Sequence, residues 1–309
     1  MTPPGGARRL ERFIRLILLC LWFWPNLSFA SCLVRERASV KLEILGTTIL
    51  VPVAVNGTAG RFVLDTGAAL TTVSPAAVAR FGLVLDEWTA TTMRGIGGIE
   101  RRRNALPRTV ELGGIPLHRR SVARDATLRV ATLQGDFDGL LGRDFLSAFD
   151  LVIDWPQRHL ILYEVRDCSG RFLPWTGAYE AVPVENPAES ALIVPVTLDG
   201  VSLRALLDSG ASQTMIAAPG MARLGLGLDR LAGDPHQVMS GVGQHSVVMW
   251  RHRFVTIKIG EEAISGPVFP VAAVRLFPTA DLLLGADWFM GRRVWISYAT
   301  RQIFTTKER

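Results

Sequence analysis

The chain has 309 residues, 49% hydrophobic and 20% charged, which supplies a sizeable core and excludes an extended, disordered chain. Its net charge of +6 comes from arginines scattered over RRR (101–103), HRR (118–120) and GRR (291–293) without interleaved aromatics. That pattern argues against a nucleic-acid partner and for a solvated basic surface. The 29 glycines and 17 prolines are spread out, which suits a turn-rich protein better than a helical bundle.

Residues 1–30 read as an export signal. Arg8, Arg9, Arg12 and Arg15 form a positive start, Leu16–Trp24 (LILLCLWFW) is a short apolar stretch, and Ser28 and Ala30 are small residues at the cleavage positions. The stretch is shorter than the roughly 20 residues of a membrane span. A periplasmic or secreted protein beginning near Ser31 is expected. The alternative is membrane association through an uncleaved N-terminal anchor, with lipidation at Cys32 (in FASC, 29–32) a further variant. Removal of the signal leaves Cys32 and Cys168, which can pair in an oxidising compartment.

A short N-terminal extension (31–46) leads into a repeat. VPVAVNGTAGRFVLDTGAALTTVSPAAVARFGL (51–83) lies over VPVTLDGVSLRALLDSGASQTMIAAPGMARLGL (194–226) at an offset of 143, with 14 of 33 positions identical. The same offset lays GLLGRDF (139–145) over LLLGADW (282–288). The expected organisation is a first lobe at 47–163, a connection at 164–189 and a second lobe at 190–309. TTILVPVAV, GRFVLDT, LVIDW and HLILY are short and rich in branched residues, as are ALIVPVTL, SLRALLDS, RHRFVTIKI and RVWISY. Hairpin turns are expected at VNG (55–57) and LDG (198–200). PAAVARFGL, RDFLSAF and their partners read as short helices. The fold class is therefore all-β, with two homologous barrel-like lobes.

Each lobe carries one acid at the end of an apolar strand, Asp65 and Asp208, and a buried carboxylate is costly unless it is compensated. Packing the lobes about a pseudo-twofold axis brings the two acids together, where they must share a proton. One can then act as a base on water while the other polarises a carbonyl. Gly67 and Gly210 let the chain turn after each acid, and the Thr66 and Ser209 hydroxyls can bond to backbone in the opposing loop.

The doubled apolar-apolar-Asp-[Thr/Ser]-Gly-Ala pattern resembles the retroviral-type (retropepsin-like) and pepsin-type aspartic proteases. Each copy has its Leu-Leu-Gly 77 residues downstream (142 − 65; 285 − 208). The likeness spans nearly all of 47–309 and implies a single-chain version of a retroviral-type homodimer: a monomer containing an intramolecular pseudo-dimer. It implies an endopeptidase acting on an extended peptide or protein substrate, with Asp65 and Asp208 catalytic. Thr66, Gly67, Ala68, Ser209, Gly210 and Ala211 would be the supporting loops, with no cofactor and no metal. RGIGGIE (94–100), with Gly95, Ile96, Gly97 and Gly98, resembles a substrate-covering flap, and MSGVGQHS (239–246), with Gly241, Val242 and Gly243, a second one. Neither contains the tyrosine of the pepsin flap, which favours the two-flap arrangement. Many pepsins have a hydroxyl residue where Ala68 and Ala211 stand, so the resemblance implies a less acidic dyad here. The rival reading is an exported scaffold or peptide-binding protein that keeps the fold without hydrolysis.

His236, His245 and His252 match no common metal spacing. Asp144 and Asp287, after each Leu-Leu-Gly, read as caps of the helix that follows. Asp154 has Ser297 at its repeat position.

Overall fold

The computed structural model describes residues 32–117, 127–185, 191–240, 245–276 and 279–307. The export segment 1–30 lies outside them. The architecture is two β lobes on one shared sheet.

In lobe 1 strands Thr48–Val55 and Thr58–Leu64 form a hairpin, Val55 opposite Thr58. Its two turn residues, Asn56 and Gly57, both have positive φ (50° and 80°). That backbone twist matches the strands, and Asn-Gly adopts it at little cost. Asp199 and Gly200 repeat the turn in lobe 2 (49° and 81°), between Ile193–Leu198 and Val201–Leu207. Both turn side chains also pin a neighbouring loop. Asn56 Oδ1 accepts from Arg108 N at 2.6 Å, and Asp199 Oδ1 accepts from Val255 N at 2.8 Å.

The strand that carries each acid is gripped from the side by its Leu-Leu-Gly segment. Gly139–Leu141 runs parallel to Thr58–Leu64 and antiparallel to Thr72–Val73. Leu282–Leu284 does the same between Val201–Leu207 and Met215–Ile216. These central strands are buried on both faces, as their unbroken leucine runs require. The helices are short: Pro75–Arg80 capped by Ser74, Ala218–Leu224 closed by left-handed Gly225, and single turns at Arg143–Leu146 and Ala286–Phe289. Lobe 2 adds Leu228–Leu231, which delays its flap relative to lobe 1.

Six strands join the lobes, in the order Leu33–Lys41, His159–Arg166, Asp150–Asp154, Arg292–Ser297, Gln302–Lys307, Glu180–Val182. Thus the N-terminal extension and the connection each lend an edge strand to this sheet. At its centre Val152 lies opposite Trp295, its own repeat counterpart (295 − 152 = 143), so the pseudo-twofold axis passes through this pair. Trp295 is fully buried, stacked on Tyr163 at 4.5 Å with Phe172 and Trp175 edge-on. Among the described residues no helix is long and apolar enough to cross a membrane.

A disulfide joins Cys32 to Cys168. It closes the end of the ladder in which Leu33 pairs with Arg166, across a sequence separation of 136 residues. In the chain-entropy account, restraining so long a loop in the unfolded chain is worth about 5 kcal/mol. Replacing both cysteines by alanine should lower the urea midpoint and steepen the denaturant slope as the unfolded chain expands; an unaltered midpoint would show the bridge to be dispensable.

Candidate active site

Asp65 and Asp208 stand at the ends of equivalent strands, their backbone N–H groups donating to Leu141 O (3.1 Å) and Leu284 O (2.9 Å). The loops that follow interlock across the lobes. Thr66 Oγ1 donates to Leu207 O at 2.9 Å and accepts from Ser209 N at 3.0 Å. Ser209 Oγ donates to Leu64 O at 2.6 Å and accepts from Thr66 N at 3.1 Å. Both hydroxyl residues are fully buried, so these four bonds satisfy groups that water cannot reach.

The glycines do more than let the chain turn. Neither Gly67 nor Gly210 has positive φ. A Cβ on Gly67 would stand 2.3 Å from Asp208 Cγ, and one on Gly210 would stand 2.4 Å from Asp65 Cγ. Each lobe's glycine is thus the floor on which the other lobe's carboxylate rests, and no larger residue fits.

The two carboxyl groups lie close enough for the charge of Asp208 to act on Asp65. Asp65 Oδ1 accepts from Ala68 N at 2.7 Å, and Asp208 Oδ1 from Gly210 N at 2.9 Å and Ala211 N at 3.1 Å. Burial pushes Asp65 well above the ordinary carboxylate range, with the charge of Asp208 adding to it. Burial also raises Asp208, opposed by its two backbone donors. The pair therefore retains a proton where an exposed carboxylate would have lost it. Asp208 keeps partial exposure toward the cleft, whereas Asp65 is 8% exposed.

Two stretches, 51–145 and 194–288, match the family model described as Aspartyl protease. The chain belongs to the aspartyl protease family. A search of curated proteins gave no match. Each matched stretch runs from the first hairpin through one acid to its Leu-Leu-Gly helix, which fits a duplicated, retropepsin-like family member.

The hairpin expected to be the first flap reaches from lobe 1 to lobe 2. Strands Val84–Gly95 and Gly98–Leu106 turn through Ile96 and Gly97, with Gly98 at φ 114°. The tip crosses to the other lobe: Ile96 packs against an apolar cluster of lobe 2, and Gly97 O accepts from His245 N at 2.9 Å. The second hairpin, His236–Ser240 with Ser246–Arg253, is hydrogen-bonded into its lobe's sheet through Val268–Val271. Gly241, Val242 and Gly243 at its tip lie outside the described residues. The three histidines diverge: His245 meets the first flap, His252 Nδ1 lies 2.6 Å from Asp234 Oδ2, and His236 pairs in the strand with Trp250.

Arg143 escaped the sequence reading. Its guanidinium is 2% exposed and donates to Thr66 O at 3.0 Å and Gly67 O at 2.7 Å, placing a fixed cation beneath the acid loop. The available signal was a break in the repeat, since Ala286 holds the equivalent position. Asp144 and Asp287 do not act as N-caps, which are Gly142 and Gly285. Each accepts instead from the backbone and hydroxyl of Thr71 or Thr214, at 2.7–2.9 Å, tying the helix to the acid-bearing loop.

The raised dyad has a stability consequence. Between the ordinary carboxylate value of 3.8 and its own raised value, the folded pair binds more protons than the unfolded chain, so stability falls as pH rises through that window. Asp65→Asn removes this penalty. Calorimetry should show the variant melting above wild type at neutral pH, the gap closing in acid well below the ordinary carboxylate range. A gap independent of pH would contradict the shared proton.

Proposed function

We propose that this protein is an aspartic endopeptidase that hydrolyses peptide bonds in an extended peptide. The observation that carries the reading is the placement of Asp65 and Asp208, each resting on the other lobe's glycine, with burial raising both carboxyl groups. In the proposed reaction the ionised carboxylate takes a proton from a water molecule as its oxygen attacks the scissile carbonyl carbon. The protonated partner donates to the carbonyl oxygen, giving a neutral tetrahedral diol. Collapse of the diol breaks the C–N bond as the now-protonated base gives its proton to the leaving amine and the other carboxylate takes a proton from a diol hydroxyl, which leaves a carboxylic acid product and restores the starting dyad. Arg143 acts as a positioning residue: by holding the Thr66 and Gly67 carbonyls it fixes the loop, and its charge opposes the upward shift of both acids.

The first flap supports a covered cleft in which substrate backbone adds as a strand. Both acids belong to one chain, which supports a site complete in the monomer. The Cys32–Cys168 disulfide supports work in an oxidising compartment, periplasmic or secreted.

Asp65→Asn and Asp208→Asn should each lower kcat/KM on a denatured protein substrate by at least about 100-fold, the lower range for a lost general acid or base, with folding retained. Wild-type activity should fall on both sides of a mildly acidic optimum, as the dyad gains its second proton or loses its first. Full activity in either variant, or an optimum near about pH 2 as in a strongly acidic dyad, would contradict the proposal.

A further inference from the structure

The two halves of the cleft share a backbone but differ in chemistry. Under the first flap the cross-strand pairs are Met93–Glu100 and Thr91–Arg102. Under the second they are Met239–Val247 and Gln237–Met249. On the more buried face of each hairpin, Glu100 and Arg102 stand in the first and Val247 and Met249 in the second. Glu100 is ion-paired with Arg102 and accepts from Thr132 N at 2.8 Å and Thr132 Oγ1 at 3.2 Å. On the opposite side Val247 and Met249 pack with Met215, Met239, Leu276 and Ala280 in one apolar cluster.

The walls beneath differ as well. Asp138 and Asp281 make the same contact, accepting from Arg61 N and Arg204 N at 2.8 Å, so the residues just before them, Phe137 and Ala280, are counterparts. Phe137 lies with Leu133 over Leu50, Val63 and Leu140. Val63 shares a strand face with Asp65, and Leu140 sits opposite Val63 in the ladder, so this cluster fronts the cleft. The lobe 2 cluster already holds a branched apolar side chain from outside, Ile96 of the first flap.

We infer that the cleft takes an unlike pair of side chains around the scissile bond: a long apolar one against lobe 2 and a small or polar one against lobe 1. This names the substrate class for the site and rests on the peptidase reading. Lobe 2 has a small, buried Ala280 where lobe 1 carries the half-buried Phe137, and the methionines of lobe 2 adapt to a flexible guest. A long apolar chain on the lobe 1 side meets Phe137 and presses hydrocarbon against the half-buried Glu100–Arg102 pair.

The test uses the full-length protein and three peptides with a reduced, uncleavable central bond, flanked by Leu–Leu, Leu–Ala or Ala–Leu. Binding is measured by calorimetry, and hydrolysis of the matching amides is followed in parallel. One mixed peptide should bind at least about tenfold more tightly than the other, the discrimination a well-formed apolar pocket gives, and no more weakly than Leu–Leu. Phe137→Ala should admit leucine on the restricted side and erase most of that ratio; Ala280→Phe should impose the restriction on the other side. The double change Glu100→Val with Arg102→Met gives an independent reading of the same loss. Equal binding of the mixed peptides, or no binding, overturns the inference. Preference without hydrolysis retains it and removes the peptidase reading, whereas hydrolysis without preference does the reverse.

Discussion

Two carboxyl groups buried against each other on a pseudo-twofold axis are the constraint from which the rest of this structure follows. Either acid alone would be an uncompensated buried charge, costing several kcal/mol. Burial raises the proton affinity of both, with the charge of Asp208 adding to the rise at Asp65, and that arrangement requires the two lobes to be held in register. The reciprocal Thr66 and Ser209 bonds provide that fixing at the loops. The Val152–Trp295 crossing provides it below, in a sheet that draws strands from both lobes. Gly67 and Gly210 then have no alternative, because any side chain would occupy the space of the opposing carboxylate.

The symmetry is broken where chemistry benefits. Arg143 has Ala286 as its counterpart, so one buried cation serves both acids. A single cation on one side lets two equivalent positions differ in proton affinity, and acid–base work needs such a difference. The flaps diverge too. The first is a separate two-stranded sheet tied to its lobe by Glu100 with Thr132 and by the Ala105–Leu128 bridge, while the second is continuous with its sheet.

The repeat, the paired acids and the two Asx-Gly turns were legible because each rests on local chemistry: an identical stretch, a polar residue in an apolar run, a dipeptide suited to positive φ. What stayed hidden depends on which segments meet. Residues 31–46 carry no repeat signature, yet Leu33–Lys41 forms an edge of the shared sheet because its pairing partner, His159–Arg166, is over 100 residues away. Gly67 read as a turn residue, since a clash with the other lobe's carboxylate has no sequence signal. Arg143 was visible only as a mismatch in the repeat. The Asp154 and Ser297 mismatch hides a contact that is kept. Asp154 Oδ1 accepts from Gln157 N and Ser297 Oγ from Thr300 N, both at 3.0 Å, so different residues fill one turn role.

The most direct measure of the shared proton is a carbon-13 NMR titration of the Asp65 and Asp208 carboxyl carbons. The account predicts two well-separated steps belonging to the pair, with one proton held between them well above the ordinary carboxylate range. Two carboxyl groups losing their protons together, each within that ordinary range, would contradict it.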